Sequence, residues 1–439
     1  MSDIGTNLRF MFRALQHRNY RLFFGGQTIS LTGTWMQSVA TGWLVYRLTN
    51  SALSLGLVGF AAQLPIFVFA PIAGVVADRW NRHRILIVTQ SLALLQAMAL
   101  AILVMTSNVT VSQIILLSMF LGFVNAFDMP ARQSFVIEMI ENREDLGNAI
   151  ALNSSMVNGA RLVGPAIAGV LVATVGEGVC FLLNGISYLA VIAALLAMRI
   201  SLHQPARRGG HIFRELKEGF SYAFRMPFIR SVILLVGLVS LVGLPYQVLM
   251  PVFARKVLQG GPRTLGFLSS ASGAGALVGA MYLASRQSVR GVGRNIPVAT
   301  GVLGLGLIAF SQSTVLWFSL VCLLFTGFGV MLQVASSNTA LQATVDDSKR
   351  GRVMSLFTMA FVGAGPFGSL LVGALSGKIG ARGTVLVGGV CCLLGSFLFA
   401  KRMRPEREQV GFADTRERAG SGGGSAVHGH AELTKPPRA

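Results

Sequence analysis

Twelve apolar runs divide this sequence, each about the twenty residues that a helix needs to cross a hydrocarbon core. Inside lipid a helix satisfies its own backbone hydrogen bonds, which an irregular segment cannot do. The pattern therefore predicts an all-α membrane protein with twelve transmembrane helices. The predicted spans cover residues 24–46, 54–77, 85–105, 111–129, 147–173, 179–198, 231–253, 265–284, 296–311, 315–334, 354–375 and 383–400.

Composition excludes a soluble globular domain. Of the 439 residues, 53% are hydrophobic and only 12% are charged, whereas soluble domains contain about 25% charged residues. In a soluble chain the net charge of +20 would suggest binding to nucleic acid. Here the cationic side chains collect in short loops between the apolar runs, so they indicate membrane topology instead.

The loop charges predict the orientation in the membrane. An even number of spans puts both termini on one side. The termini and loops of that side contain 30 of the 37 Lys and Arg residues, the opposite loops contain 6, and Arg161 lies within a span. Cytoplasmic loops carry such an excess. Both termini are therefore predicted to be cytoplasmic.

The spans form two groups of six around the longest internal loop, in which residues 212–224 predict an amphipathic helix at the membrane interface. The two groups resemble an internal repeat with an offset of 201 residues. The matched positions are Asp145 with Asp346, Gly164 with Gly365, and Pro165 with Pro366. The predicted organisation is a cytoplasmic arm at 1–23, a six-helix bundle at 24–198, a cytoplasmic linker at 199–230, a second six-helix bundle at 231–401 and a disordered cytoplasmic tail at 402–439.

One loop and four shorter segments resemble a known family of transporters. The loop between the second and third spans contains a glycine, an Asp-Arg pair and a basic cluster, at Gly74, Asp78, Arg79, Arg82 and Arg84. This loop is similar to the signature loop of the major facilitator superfamily. The segments that resemble, more narrowly, its enterobactin-exporter and macrolide-efflux-type (transmembrane secretion effector) branch are 127–133, 148–153, 158–165 and 350–355.

The resemblance implies two six-helix bundles that rock around a central cavity, in a bacterial inner (plasma) membrane. It implies a secondary active transporter that exports an amphiphilic small molecule, a drug-like compound or a siderophore, by proton antiport. An importer or a lysophospholipid flippase on the same fold would share these motifs, and a non-transporting membrane sensor is a further alternative. The family usually works as a monomer, and we expect no cofactor, no metal and no nucleic acid.

The resemblance also implies a cytoplasmic gate. Asp78 would lie beside the N-terminus of the eleventh span, where the helix dipole stabilises a carboxylate by about 0.3–1 kcal/mol. Asp128 would come within reach of Arg79 or Arg82, and it is the best available proton carrier. A merely structural turn is the alternative. The predicted gate residues are Gly74, Asp78, Arg79, Arg82, Arg84, Asp128, Arg132, Arg350 and Arg352.

Arg161 is the most informative polar residue inside a span. An arginine at this depth costs about 2.5–3.5 kcal/mol, and no span has an acidic residue at a comparable depth. We expect it to face a wet cavity and to bind carbonyl groups, Asn158 or an anionic substrate; a purely structural hydrogen-bond hub is the alternative. The predicted cavity residues, which suit an amphiphilic molecule, are Gln27, Trp35, Gln37, Gln63, Asn125, Asn153, Asn158, Arg161, Tyr246, Gln247 and Gln333.

A helix-packing motif follows in the fifth span, at Gly164, Pro165 and Gly169. It resembles the exporter motif of the superfamily. Small residues permit close helix contact, and proline removes one backbone hydrogen bond. A flexible seal and plain tight packing would both explain it.

Enzyme chemistry has no motif in this chain. There is no nucleotide-binding glycine loop that ends in Lys-Ser or Lys-Thr, and no His-Glu-x-x-His pair. The four cysteines lie in or beside apolar runs without the spacing of metal ligands. The sequence therefore predicts a protein that is not an enzyme.

Overall fold

The described part of the chain folds into twelve long helices, α1 to α12. The computed structural model describes residues 12–140, 142–199, 220–285 and 292–421. A short 3-10 turn, Arg13–Gln16, precedes α1. The first ten helices are Arg18–Thr49, Ala52–Arg79, Arg82–Met105, Val111–Glu138, Leu146–Thr174, Glu177–Leu196, Pro227–Val257, Pro262–Ala284, Val292–Gln312 and Leu316–Thr344. The helical segment Asp347–Ser421 is divided at Gly380 into α11 and α12.

Most of these helices are hydrophobic enough to be membrane spans. Ten helical segments of the described chain are long and apolar enough to cross a membrane. The last of them, Lys349–Met403, contains both α11 and α12, because Gly380 has a φ of 75° that favours glycine and breaks the helix. α1 is not among the ten, and amides such as Gln27 and Gln37 make it more polar than its neighbours. The prediction of an all-α protein with twelve spans is confirmed.

Several helices extend beyond the predicted spans. α1 begins at Arg18, whereas its apolar run begins at residue 24, and α4 continues to Glu138 beyond residue 129. Hydropathy detects only the part of a helix that lies in hydrocarbon, and charged turns can continue the helix outside it.

The structure describes only part of the linker and of the tail. Residues 220–225 at the end of the linker are helical, while the rest of the predicted interfacial helix lies outside the described residues. α12 continues to Ser421, although a disordered tail was expected from residue 402. The Glu, Arg and Gln residues of this stretch have good helix propensity. Residues 422–439 lie outside the described chain.

α7 is the least regular helix of the described chain. Its α-helical start gives way to a π-helical turn at Val239–Gly243, a 3-10 stretch at Leu244–Leu249 and a second π-helical turn at Phe253–Val257. Pro245 and Pro251 lie in this region and cannot donate backbone hydrogen bonds. π-Helical turns occur often at functional sites, and this region lies beside the central cavity described below.

Neighbouring helices alternate in direction, so both ends of the helical core lie on one side. In α1 and α6, for example, Gly26 lies against Val191 and Gly33 lies against Asn184, which makes this pair antiparallel. We call the side on which α1 begins and α12 ends the terminal side, and the other the opposite side.

The two halves, α1–α6 and α7–α12, meet mainly along two equivalent helix pairs, α5 with α8 and α2 with α11. A Cβ atom added to Gly169 of α5 would lie 2.9 Å from the Cα atom of Gly266 in α8. A Cβ atom added to Gly373 of α11 would lie 2.9 Å from the Cα atom of Gly56 in α2. Both close approaches are on the opposite side, so the backbones of the two halves touch there.

On the terminal side the same helices diverge. A Cβ atom at Gly74 of α2, Gly159 of α5 or Gly351 of α11 would meet no described heavy atom within 4 Å. The contacts between these helices reach the middle of the membrane, where Gly273 of α8 lies against the carbonyl oxygen of Arg161. The structure is therefore closed on the opposite side and open toward the terminal side.

Close glycine contacts also hold the second half together, which gives a stability test. A Cβ atom at Gly275 of α8 would lie 1.9 Å from the carbonyl oxygen of Leu324 in α10. We expect Gly275→Ala to destabilise the protein by about 1–3 kcal/mol, because α8 and α10 must separate. The thermal unfolding temperature of the purified protein in detergent measures the effect. Gly25→Ala is the matched control, since its Cβ atom meets open space; equal unfolding temperatures for the two variants would contradict the prediction.

Candidate substrate cavity and gate

A cavity of about 400 Å³ lies between the two halves. Helices α1 to α5 contribute one wall, and α7 and α8 contribute the other. Apolar side chains such as Leu55, Val58 and Leu265 alternate with polar groups around it. Six of the predicted cavity residues line it: Trp35, Gln37, Gln63, Asn125, Arg161 and Gln247.

The other five predicted cavity residues do not line this cavity; they are Gln27, Asn153, Asn158, Tyr246 and Gln333. Tyr246 is buried, with its hydroxyl 2.7 Å from the hydroxyl of Ser272 in α8. The amide nitrogen of Asn158 donates to the carbonyl oxygen of Ser154 within α5. Gln27 and Gln333 are buried inside their own halves. The rotation of a helix about its own axis decides whether a side chain faces the cavity or a neighbouring helix. The position of an apolar run in the sequence does not predict this rotation.

Sequence reasoning missed several small polar residues of the lining. They are Thr34, Ser38, Thr41, Gln96, Ser118, Ser269 and Ser272. The three from α1 recur around Gln37 at intervals of three or four residues, which is the spacing of one helix face. That pattern is a signal in the sequence that would have found this wall.

A buried amide chain connects the cavity to the interior of the first half. Gln37 donates to the side-chain oxygen of Gln96 in α3 at 2.9 Å, and Asn184 of α6 donates to the side-chain oxygen of Gln37 at 2.8 Å. Gln63 donates to the hydroxyl of Ser369 in α11 at 3.1 Å, across the boundary between the halves. Hydrogen bonds of this kind join membrane helices, so these amides have a structural use in addition to lining the cavity.

Arg161 is half-buried in the cavity wall and lies over an aromatic ring. The central carbon of its guanidinium is 5.5 Å from the ring centroid of Trp35. Such a cation–π contact stabilises the charge by about 0.5–2 kcal/mol. No Asp or Glu lines the cavity within the part of the chain that the structure describes.

The packing motif of α5 brings three helices together around Arg161. A Cβ atom at Gly164 would lie 2.6 Å from the Cβ atom of Trp35, so α5 and α1 touch there. Gly169 makes the contact with α8 described above. Pro165 is buried and also lines the cavity. All three motif residues therefore lie at or beside close helix contacts.

The predicted gate loop lies between α2 and α3 on the terminal side, where its charges contact one another. The side chain of Asp78 is 68% exposed and pairs with Arg82 at 3.6 Å. Arg82 also pairs with Glu138 at the end of α4. Asn81, where the resembling family usually has glycine, caps α3 by accepting a hydrogen bond from the backbone nitrogen of Arg84. The loop joins α2, α3 and α4 into one unit.

Asp128 is buried deeper in the first half than the loop. Its carboxylate accepts hydrogen bonds from Thr89 at 2.9 Å and Gln90 at 2.8 Å, both in α3, and pairs with Arg132 at 3.5 Å. The expected partners were Arg79 or Arg82. In this open conformation the hydrogen bonds from α3 satisfy the carboxylate instead. The side chain of Asp128 is almost inaccessible to solvent.

The remaining predicted gate residues also lie on the terminal side. Arg79 and Arg84 are exposed at the two ends of the loop, next to the open space at Gly74. Arg350 and Arg352 belong to the first turns of α11, across the opening from α2.

The segment before α1 forms a further cluster on the terminal side that sequence reasoning missed. Asp145, at the start of α5, pairs with Arg13 at 3.1 Å and with His17 at 3.0 Å. The hydroxyl of Tyr20 donates to the carbonyl oxygen of Ala149 in the first turn of α5. These contacts attach the N-terminal segment to α5.

Comparison with known proteins identifies the family. A family profile described as transmembrane secretion effector matches residues 11–417, which is nearly the whole chain. The chain belongs to this family of the major facilitator superfamily. Related proteins of known function are membrane transporters rather than enzymes.

Three relatives show the range of the family. The chain is 24% identical to the staphyloferrin A transporter of Staphylococcus aureus, over 87% of this chain and 96% of the relative. It is 26% identical to the multidrug efflux pump Tap of Mycolicibacterium fortuitum, over 81% and 88%. It is 24% identical to the enterobactin exporter EntS of Escherichia coli, over 91% and 96%.

Solved structures show the same fold. A bacterial homologue of the human lysosomal transporter Spinster, in an inward-facing and unoccupied conformation, matches with a TM-score of 0.68 and 14% identity, over 88% of this chain and 97% of that one. A bacterial homologue of the iron transporter ferroportin, in an inward-facing state, matches with a TM-score of 0.66 and 16% identity, over 88% and 99%. The solved structures show the fold, and together with the family match they make the chain a multi-pass membrane transporter of the major facilitator fold.

The contact between α5 and α8 on the opposite side predicts which substitution shifts the conformation. We expect Gly169→Val to disfavour the conformation that is open to the terminal side, because its side chain would collide with Gly266. An overpacking cost of about 1–3 kcal/mol corresponds to roughly a 5- to 150-fold change in the ratio of two conformations.

Cysteine labelling measures this shift. A cysteine at Gly159, which borders the open terminal side, should react with a maleimide more slowly when Gly169→Val is also present. The parent protein corrects for the native cysteines, of which three are buried. Unchanged labelling of Gly159→Cys in the Gly169→Val background would contradict the prediction.

Proposed function

We propose that this transporter exports an amphiphilic small molecule, a drug-like compound or a siderophore, across the bacterial inner membrane by proton antiport and alternating access. The observation that supports this most is the central cavity, to which both halves contribute, in a structure that is open to one side. A solute there can be released to the other side only if the halves change their contacts, which is the essence of alternating access.

The chemistry of the lining supports an amphiphilic substrate. Apolar side chains such as Leu121 and Val248 alternate with neutral amides and hydroxyls, and the lining carries one cation. Binding pockets for organic molecules are mostly apolar with a few placed polar groups. A small inorganic ion would need a convergent set of oxygen ligands instead. The names of two relatives, the multidrug efflux pump Tap and the enterobactin exporter EntS, refer to the export of organic molecules, which agrees with this proposal.

The charge distribution supports export. The terminal side carries the excess of Lys and Arg, so we assign it to the cytoplasm, with both termini there. The cavity then opens to the cytoplasm, where an exporter collects its substrate. We expect a monomer to be sufficient, since the cavity is complete within one chain.

We assign the terminal-side charges to the gate that closes during transport. Closing that side would bring the loop at Asp78 toward the N-terminal end of α11, whose dipole favours a carboxylate. Asp128 is our candidate proton carrier, because protonation would weaken its ion pair with Arg132 and its hydrogen bonds from α3. The hydrogen bonds from Thr89 and Gln90 hold α3 and α4 together on the terminal side, so their loss would loosen the gate.

A transport assay tests export and the gate together. Cells that contain the wild-type protein should accumulate less of a fluorescent amphiphile than cells with an empty vector, and a protonophore should abolish the difference. Asp78→Asn should slow export about two- to fivefold, because it removes the carboxylate that favours the closed gate. Glu144→Gln, an exposed carboxylate on the same side, should leave export unchanged.

The other outcomes distinguish the alternatives. Higher accumulation in wild-type cells would indicate an importer. Export that continues in the presence of the protonophore would refute proton antiport but would leave the proposed export standing. No difference from the empty vector across a panel of amphiphiles would refute broad export and favour a lipid flippase or a sensor.

A further inference from the structure

The charge of Arg161 is not neutralised by any carboxylate that lines the cavity. The second half has no Asp or Glu in residues 231–345 or 348–405, so its wall of the cavity is free of carboxylates. In the first half, the ion-paired carboxylates of the spans have other partners, with Asp128 beside Arg132 and Glu177 beside Arg47. A cation in a partly dry cavity without a counter-charge has a strong attraction for an anion.

The geometry of Arg161 leaves its hydrogen-bond donors available. The side chain lies over the ring of Trp35, and a contact with an aromatic face uses the charge but not the N–H groups. A guanidinium carries five N–H donors in one plane, arranged in a fork that matches a carboxylate or phosphate. No hydrogen bond from these donors to a described residue occurs.

The backbone around Arg161 is held on two sides. Gly164, one turn later, lies against Trp35 of α1, and Gly273 of α8 lies against the carbonyl oxygen of Arg161 itself. The hydroxyl of Ser270 in α8 also donates to the carbonyl oxygen of Leu162 at 2.7 Å. Such a supported residue can meet a ligand without a large cost of ordering. The site is also at the contact between the halves, where a bound ligand can influence their movement.

Two further amides of the lining are free to assist. Asn125 of α4 and Gln247 of α7 have no hydrogen-bond partner among the described side chains and backbone groups. They come from different halves and can donate to a neutral or an anionic oxygen. The other lining amides described above, such as Gln37 and Gln63, are already used between helices.

We propose that the cavity selects amphiphiles that carry an acidic group, such as a carboxylate, sulfonate or phosphate, and that Arg161 binds that group while the apolar wall binds the rest of the molecule. This rests on the proposed function, since it names the substrate class of the same cavity. Binding of the anion would neutralise Arg161, the only cation among the described residues of the lining.

Three matched fluorescent probes test the substrate class. Dansyl-phenylalanine is an anionic amphiphile at neutral pH, its carboxamide is neutral, and dansylcadaverine is cationic. We expect the purified wild-type protein to bind dansyl-phenylalanine roughly tenfold to a hundredfold more tightly than the carboxamide, the range that charge-assisted hydrogen bonds supply. Energy transfer from tryptophan to the dansyl group measures binding.

Two substitutions assign the preference to Arg161. Arg161→Gln should reduce the affinity for dansyl-phenylalanine to about that of the carboxamide, while the affinity for the carboxamide should fall far less. Arg161→Lys should keep part of the preference, because it retains the charge without the planar fork. Arg255→Gln is the control, since it removes the same charge from an exposed position at the opposite-side end of α7. Unfolding temperatures establish that each variant is folded.

The results separate this inference from the proposed function. Equal binding of the anionic and neutral probes by the wild type, no binding of the anionic probe, or an unchanged preference in Arg161→Gln would overturn the inference. In inverted membrane vesicles the wild type should also take up dansyl-phenylalanine when the proton gradient is present. Binding with the expected preference but without uptake of any of the three probes would refute the proposed export while the assignment of the anion site stands.

Discussion

Close contact between helix backbones at small residues holds this molecule together. Membrane helices gain little from burying apolar side chains, because lipid is equally apolar, so packing and hydrogen bonds supply the association. The contacts of Gly169 with Gly266 and of Gly56 with Gly373 join the two halves on the opposite side. Because both close approaches lie on that side, the terminal side can open, and the cavity exists as a consequence of where these glycines are.

The two halves carry different chemistry despite their equivalent helix pairs. The first half contains the buried carboxylate of Asp128, the amide chain around Gln37 and the cation of Arg161. The second half contributes a neutral wall, with Gln247 and serine hydroxyls on α7 and α8. These charged groups and the buried amide chain thus belong to the first half, while the second half supplies the neutral wall and the irregular helix α7.

The extent to which the site was predictable depends on the helix. Trp35 and Gln37 in α1 were found from the sequence, and the spacing of Thr34, Ser38 and Thr41 around them marks the same face. In α7, Tyr246 and Gln247 are neighbours, yet only the second lines the cavity. The π-helical and 3-10 turns change the rotation of α7 locally, so regular helix periodicity cannot assign these faces. For Asp128, the ion-pair partner Arg132 lies four residues later in the same helix, whereas the hydrogen-bond donors Thr89 and Gln90 come from α3 and depend on how α3 and α4 pack.

The sequence by itself determined the twelve spans, their division into two groups of six and the excess of cations on one side, because lipid requires long apolar helices and the charges between them are read directly from the chain. It also marked Arg161 as costly and therefore unusual. Only the tertiary structure decided which polar residues share the cavity, which residues of α3 donate hydrogen bonds to Asp128 and which side is open. Those features depend on the rotation of each helix and on contacts between distant residues, and neither is encoded in local hydropathy.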